Sequence, residues 1–172
     1  YTLSLHDALP IYIPYYITSA IIRKLLEANK RPSRMILTIQ KEVAERIIAR
    51  DGKMSLLALS VQVYGKPELV ATIPAGAFYP APDVDSAVLR LTLFKKPIIQ
   101  EQNLDLFFKL AQAGFSQKRK TLRNSLASGL SITSQQAEKI LADAQLESNR
   151  RAETLSLEEW NRLVLAYLKL AD

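Results

Sequence analysis

The apolar residues of this chain change their spacing once, at Lys95-Lys96-Pro97. Before that point short continuous apolar blocks alternate with stretches at four-residue spacing, and beyond it only helical spacing remains. That pattern specifies an α/β segment followed by an all-α one. Thr18 or Ser19 stands where a helix cap is expected, ahead of Ile21/Ile22 and Leu25/Leu26, and Pro32-Ser33 breaks that helix. Met35-Ile36-Leu37-Thr38-Ile39 reads as a short buried strand, and Glu42 to Arg50 as a helix closed by Asp51-Gly52. Leu56 to Tyr64 fits a helix or a strand equally well. Leu69 to Ile73 and Ala87 to Phe94 read as strands flanking a proline-rich loop, which makes them a hairpin at a sheet edge.

Past the boundary, Asn103 to Gly114 carries Leu104, Phe107, Phe108 and Leu110 at helical spacing. Thr133-Ser134-Gln135-Gln136 and Ser156-Leu157-Glu158-Glu159 have the form of capping boxes, with Leu155 placed to staple onto Trp160. The last helix gathers Leu157, Trp160, Val164, Tyr167 and Leu168 on one face, and burial habits assign Trp160 to the core.

Composition narrows the chemistry. The net charge of +6 over 172 residues points to an anionic partner, nucleic acid by default. The chain has no cysteine, and His6 is its single histidine. Thiolate nucleophiles, Cys-based zinc sites, a Ser-His-Asp triad and multi-His metal sites are thereby excluded, and no metal is expected. No apolar run approaches the ~20 residues that span a bilayer, and residues 1–17 hold no Lys or Arg for a signal peptide, so a cytoplasmic protein without membrane contact is expected. Residues 1–11 match no mechanistic motif and resemble translated adapter sequence, which marks them as foreign.

Three segments carry chemical meaning. Ile13-Pro14-Tyr15-Tyr16-Ile17 presents an aromatic ring after a rigid turn, where it can stack on a base. Phe78-Tyr79-Pro80-Ala81-Pro82-Asp83-Val84-Asp85-Ser86-Ala87-Val88 is a proline-stiffened loop that can hold Phe78 against the same base. Gln117 to Leu126 puts Lys118, Arg119, Lys120 and Arg123 into six residues beside Phe115, Leu122 and Leu126. On a continuous helix the three apolar residues form one stripe, with Arg119, Lys120 and Arg123 along one flank and Lys118 on the other. Taken singly, each segment has a plain structural reading: a turn, a hairpin connection, a solvated basic face.

In this order the segments resemble the small-subunit ribosomal RNA adenine dimethyltransferase family, and the resemblance runs from residue 12 to the C-terminus. Gln40-Lys41-Glu42-Val43, Leu59-Ser60-Val61 and Arg151-Ala152-Glu153 add to it. It implies the C-terminal half of a Rossmann-like S-adenosylmethionine-dependent methyltransferase sheet over 12–96, then a small all-α RNA-docking domain over 101–172. It implies S-adenosylmethionine as cofactor, the immature small subunit and its rRNA as partner, and a monomer. By position, Tyr12 stands where the family has an Asn acceptor. The Ile13 carbonyl would accept from the adenine amine, Pro14-Tyr15 would stack on its ring, and Phe78 would be the second aromatic contact. Lys118, Arg119, Lys120 and Arg123 would contact RNA.

Two departures qualify the resemblance. A phenol at Tyr12 cannot supply an amide carbonyl. The family's glycine-rich cofactor turn is not found, because Gly52, Gly65, Gly76, Gly114 and Gly129 never form a G-x-G pair. Of the cofactor positions only Tyr12 is a candidate, so the chain by itself is expected to be inactive and to leave strand edges open. Two other readings stay open: a non-catalytic relative that only binds RNA or DNA, and the macrolide-resistance methyltransferase of large-subunit rRNA.

Overall fold

The computed structural model describes residues 11, 12, 17–28, 30–50 and 52–171, with Ile11, Tyr12 and Ala171 described by backbone alone. Eleven elements follow one another: β1 (Ile11–Tyr12), α1 (Thr18–Leu26), β2 (Arg34–Gln40), α2 (Lys41–Ile48), α3 (Leu56–Gln62), β3 (Gly65–Ile73), β4 (Ser86–Leu93), α4 (Leu104–Phe115), α5 (Leu122–Leu130), α6 (Ser134–Asp143) and α7 (Leu157–Ala171). The described residues fall into two compact units, one made of those up to 48 with 60–98, the other of 49–59 with 99–171. The mixed α/β first part and all-helical second part agree with the fold class expected from the spacing change.

The first unit is built on a four-stranded sheet in the order β1-β2-β4-β3. β1 runs parallel to β2, whereas β2–β4 and β3–β4 are antiparallel. Every second residue of β2 is buried, and the register sets Met35 opposite Leu91, Leu37 opposite Leu89 and Ile39 opposite Ala87, all of them buried. One face of the sheet is thus an apolar ladder, as a two-residue side-chain period demands. α2 lies across β2, β3 and β4 and contributes the fully buried Ala44 and Ile47. The hairpin of β3 and β4 occupies the sheet edge expected of it, with a bulge between Leu69 and Ala71.

Local boundaries depart from the sequence reading in α1 and α2, and the stretch that spacing leaves open takes one of its two forms. α1 begins at Thr18 with Ile17 in the cap position and no side-chain cap, and Thr18 is buried in the first turn instead of capping it. α2 ends at Ile48, two residues early, and Gly52 takes the left-handed turn with φ +84°. The ambiguous apolar stretch after it is the helix α3, begun by the Ser55 hydroxyl accepting from the Ala58 N–H.

In the second unit α4, α5, α6 and α7 each pack on the next, and α7 returns to α4. Both capping boxes form. The Thr133 hydroxyl accepts from the Gln136 N–H, and the Gln136 side chain accepts from the Thr133 N–H. Ser156 and Glu159 exchange the same pair of bonds. Trp160 is fully buried, edge-on to Phe107 at 6.5 Å and stacked on Phe115 at 6.0 Å. Gly114 makes room for it, since a Cβ there would stand 2.7 Å from the indole ring.

That contact sets a stability expectation. Gly114→Val should destabilise the helical unit by about 2–3 kcal/mol, because an indole held between two aromatic rings cannot give way. Gly76→Ala, with nothing within 4 Å of its added carbon, should stay near wild type. Urea midpoints of the two variants check the difference.

Candidate functional site

The sheet topology brings the two aromatic motifs to one edge. β1 and β2 are parallel, with Tyr12 in register with Thr38, so the chain leaves β1 at the edge where β2 ends at Gln40 and α2 begins at Lys41. β4 enters at that edge, since Ser86 pairs with Gln40, and β3 leaves at it, since Ile73 pairs with Ser86. The connection 74–85 that carries Phe78 therefore spans the carboxyl ends of the parallel strands, the position where open α/β sheets place their ligands. Backbone places Tyr12 there; Ile13, Pro14 and Tyr15 lie outside the described residues.

Asp85 closes this loop. Its carboxylate accepts from the Ala75 N–H at 3.1 Å, its carbonyl accepts from the Lys41 N–H at 3.0 Å, and its second carboxylate oxygen lies 3.9 Å from Lys41 Nζ. Ala75–Ala77 then form a single 3₁₀ turn, and the Phe78 N–H donates to the Ala75 carbonyl at 3.2 Å. Phe78 is half-buried, whereas its neighbour Tyr79, which precedes a cis proline, is fully exposed. In the sequence Asp85 stands out only as part of the proline-rich loop. The available signal was a carboxylate directly before a strand, where it can bond backbone N–H groups across the turn.

The basic segment does not form the continuous helix expected of it. α4 ends at Phe115, residues 116–121 are a loop, and α5 starts only at Leu122. A side-chain hydroxyl bond on one side and a backbone cap on the other frame the break. Ser116 stops α4, with its hydroxyl donating to the Ala113 carbonyl at 2.7 Å, and extended Thr121 takes the cap position, its carbonyl accepting from the Ser125 N–H. Hence Phe115 belongs to α4, while Leu122 and Leu126 are fully buried on α5 together with Ser125. The flanks drawn on one helix do not exist. Lys118, Arg119 and Lys120 are exposed on the loop without an ion pair among the described residues. Arg123 sits on α5, its guanidinium 3.6 Å from Glu138.

The loop is set against a second basic element. The Leu122 N–H donates to the Arg150 carbonyl at 2.6 Å, and the Arg150 guanidinium grips the Glu159 carboxylate with both terminal nitrogens and also bonds Thr154. Next to it, Arg151 is exposed. Arg151 thus joins the basic surface of the second unit, a placement that one-dimensional spacing cannot show. An open groove of about 610 Å³ lies here, lined by Gln145, Glu147, Asn149, Arg150, Arg151 and Thr154. Among the described residues no group of acidic or histidine side chains is arranged to hold a metal ion, and no helix is long and apolar enough to cross a membrane.

Burial works against the Glu159 charge, but the Arg150 hydrogen bonds, the Ser156 N–H and nearby Arg162 outweigh it and hold the carboxyl below its usual 4.5. A carboxyl lowered in the folded state stabilises fully above that usual value and loses the contribution as pH falls through the folded one. Glu159→Gln should therefore cost about 1–3 kcal/mol near neutral pH. The gap between wild type and variant should close as pH drops below the usual 4.5. Denaturant titrations across that range measure it.

Residues 4–167 match the family described as "Ribosomal RNA adenine dimethylase". A ribosomal RNA small subunit methyltransferase A of Dehalococcoides mccartyi is 50% identical over 155 residues, covering 90% of this chain and 53% of its own length. One from Desulfitobacterium hafniense is 42% identical over 162 residues, covering 93% and 58%. The chain thus spans about half the length of the curated relatives it matches. Among solved structures, a dimethyladenosine transferase from Plasmodium falciparum matches with TM-score 0.79 at 24% identity, over 96% of this chain and 68% of that one. The 23S rRNA methyltransferase ErmE matches with TM-score 0.68 at 25% identity, over 94% and 68%.

Proposed function

Because the chain belongs to the ribosomal RNA adenine dimethylase family, we propose that it supplies the base-orienting and RNA-docking parts of an enzyme that dimethylates two adjacent adenines of small-subunit rRNA at N6. The observation that carries this reading is the meeting of the Tyr12 end of β1 and the Phe78 loop at one edge of the sheet. The enzyme acts on the immature small subunit in the cytoplasm, as a monomer, in ribosome biogenesis. The small subunit is preferred over the large because relatives 40–50% identical carry the small-subunit name.

S-adenosylmethionine, when bound, supplies the methyl group as an electrophilic sulfonium. The described residues do not form its glycine-rich cradle: Gly65 is in a strand, Gly114 and Gly129 are inside helices, and Gly52 and Gly76 lie in isolated turns. No cofactor step is therefore assigned to them. Their chemistry concerns the substrate. The Ile13 carbonyl accepts from the adenine amine and turns the nitrogen lone pair outward, while Tyr15 and Phe78 hold a base that has left its stack. Tyr12 stands at the position of the second acceptor, where a phenol offers no amide carbonyl. By itself the chain is inactive in this reading.

Joined to the N-terminal half of the Dehalococcoides mccartyi relative, the Tyr12→Asn variant should methylate small-subunit RNA faster than the Tyr12 form. A transition-state hydrogen bond of about 2–4 kcal/mol predicts at least a ~30-fold gain. Equal single-turnover rates would remove Tyr12 from the site. Absence of methylation by either form would favour the non-catalytic RNA-binding reading.

Docking falls to Lys118, Arg119 and Lys120, with Arg151 beside them. Replacing the three loop cations by Ala should weaken binding to a structured rRNA fragment independently of sequence. It should also lower the slope of log affinity against log salt by ~0.7–0.9 per lost phosphate contact. Arg123→Ala should matter less, since Glu138 already engages that side chain. Leu122→Ala should leave the slope intact but cost about 2–5 kcal/mol of stability. Salt-series anisotropy and thermal unfolding separate the two effects.

A further inference from the structure

The end of the sheet remote from Asp85 gathers positive charge that the catalytic reading does not use. Three segments meet there through backbone bonds. The Leu93 N–H donates to the Ser33 carbonyl at 3.0 Å, the Phe94 N–H to the Tyr64 carbonyl at 2.9 Å, and Thr92 is in register with both Arg34 and Lys66. Residues 30–34, 64–66 and 92–98 carry Lys30, Arg31, Arg34, Lys66, Lys95 and Lys96 and no acidic residue. All but Arg31 are exposed. Arg31 lies over the Tyr64 ring with its guanidinium 5.6 Å from the centroid, and Lys66 pairs with Glu68 at 3.2 Å. Lys30, Arg34, Lys95 and Lys96 have no ion pair among the described residues.

We propose that this end of the sheet is a second RNA surface, contacting phosphates of a structured RNA at a distance from the adenine-binding edge. β2, β4 and β3 are ~4.8 Å apart, so the cations spring from backbone within about 10 Å across the strands, roughly one Debye length at 0.1 M salt. Their fields add along one line. The length of β2 separates this line from the Asp85 edge by roughly 20 Å. Phe94, 40% exposed and next to Lys95-Lys96, supplies a ring among the cations. Base stacking uses such a ring and an acidic peptide does not, which favours nucleic acid as the occupant. The inference rests on the reading that the protein acts on RNA and extends that contact to a surface outside the helical unit.

The test uses the 172-residue chain and a fluorescein-labelled RNA hairpin of about 20 base pairs, with poly-glutamate as a second labelled probe. The variant Arg34→Gln/Lys95→Gln/Lys96→Gln should lower the salt slope by about 2 and weaken hairpin binding at least ~tenfold at low salt. Arg34→Lys/Lys95→Arg/Lys96→Arg should keep the wild-type slope. Lys109→Gln/Lys139→Gln/Lys169→Gln removes the same charge elsewhere and should do little. A wild-type slope in the first variant, with unchanged thermal unfolding, would overturn the proposal. So would an equal loss in the third, which would reduce the effect to net charge, or binding that is lost for poly-glutamate but kept for RNA. Replacing the loop cations 118–120 is a separate arm: no effect there with an effect here would sink the loop-docking reading and leave this surface standing.

Discussion

The antiparallel ladder between β2 and β4 is the constraint on which the first unit depends. It joins segments far apart in sequence, and its buried pairs, Met35 with Leu91, Leu37 with Leu89 and Ile39 with Ala87, admit one register only. A slip by one residue would turn each of these side chains to the opposite face. Both ends of the sheet inherit their composition from that register. Gln40 opposite Ser86 brings the Phe78 loop beside the end of β1, and Arg34 opposite Thr92 brings the lysines after β4 beside the cations before β2. A hydrophobic match in the middle thus decides which polar groups meet at the two rims.

The helical unit is organised differently, around a tryptophan and an arginine. Trp160 fills the space that Gly114 leaves, while Arg150 ties the start of α5, through its carbonyl, to the start of α7, through Glu159. The exposed cations before α5 therefore grow out of a braced helix start. Side chains that dock on a polyanion lose rotamer freedom, and a rigid origin limits that loss.

Strands and capping boxes were legible in the sequence because their signals are local: a short apolar block in Met35 to Ile39, hydroxyl and amide three residues apart in Thr133 and Gln136. The burial of Leu122, Leu126 and Trp160 was legible for the same reason. The basic segment was misread because helical periodicity tolerates a break. Phe115, Leu122 and Leu126 keep helical spacing across a loop, although the first belongs to α4 and the others to α5. Thr121 takes the cap position of α5 through its carbonyl, and its hydroxyl makes no hydrogen bond among the described residues, so no side-chain cap marks the break. Asp85 and Arg150 escaped because their importance lies in partners distant along the chain. The meeting of three cationic segments at the rim of the sheet depends on strand order, which spacing does not encode.

Trp160 is the single tryptophan of the chain, and its buried indole N–H makes no hydrogen bond among the described residues. An indole in such surroundings emits at the blue end of its range, and exposure to water shifts the emission red. Because the first unit contributes no tryptophan, emission reports the helical unit alone, whereas far-ultraviolet dichroism reports both. The molecule thus carries an intrinsic optical probe that can tell whether its two units come apart together or in turn.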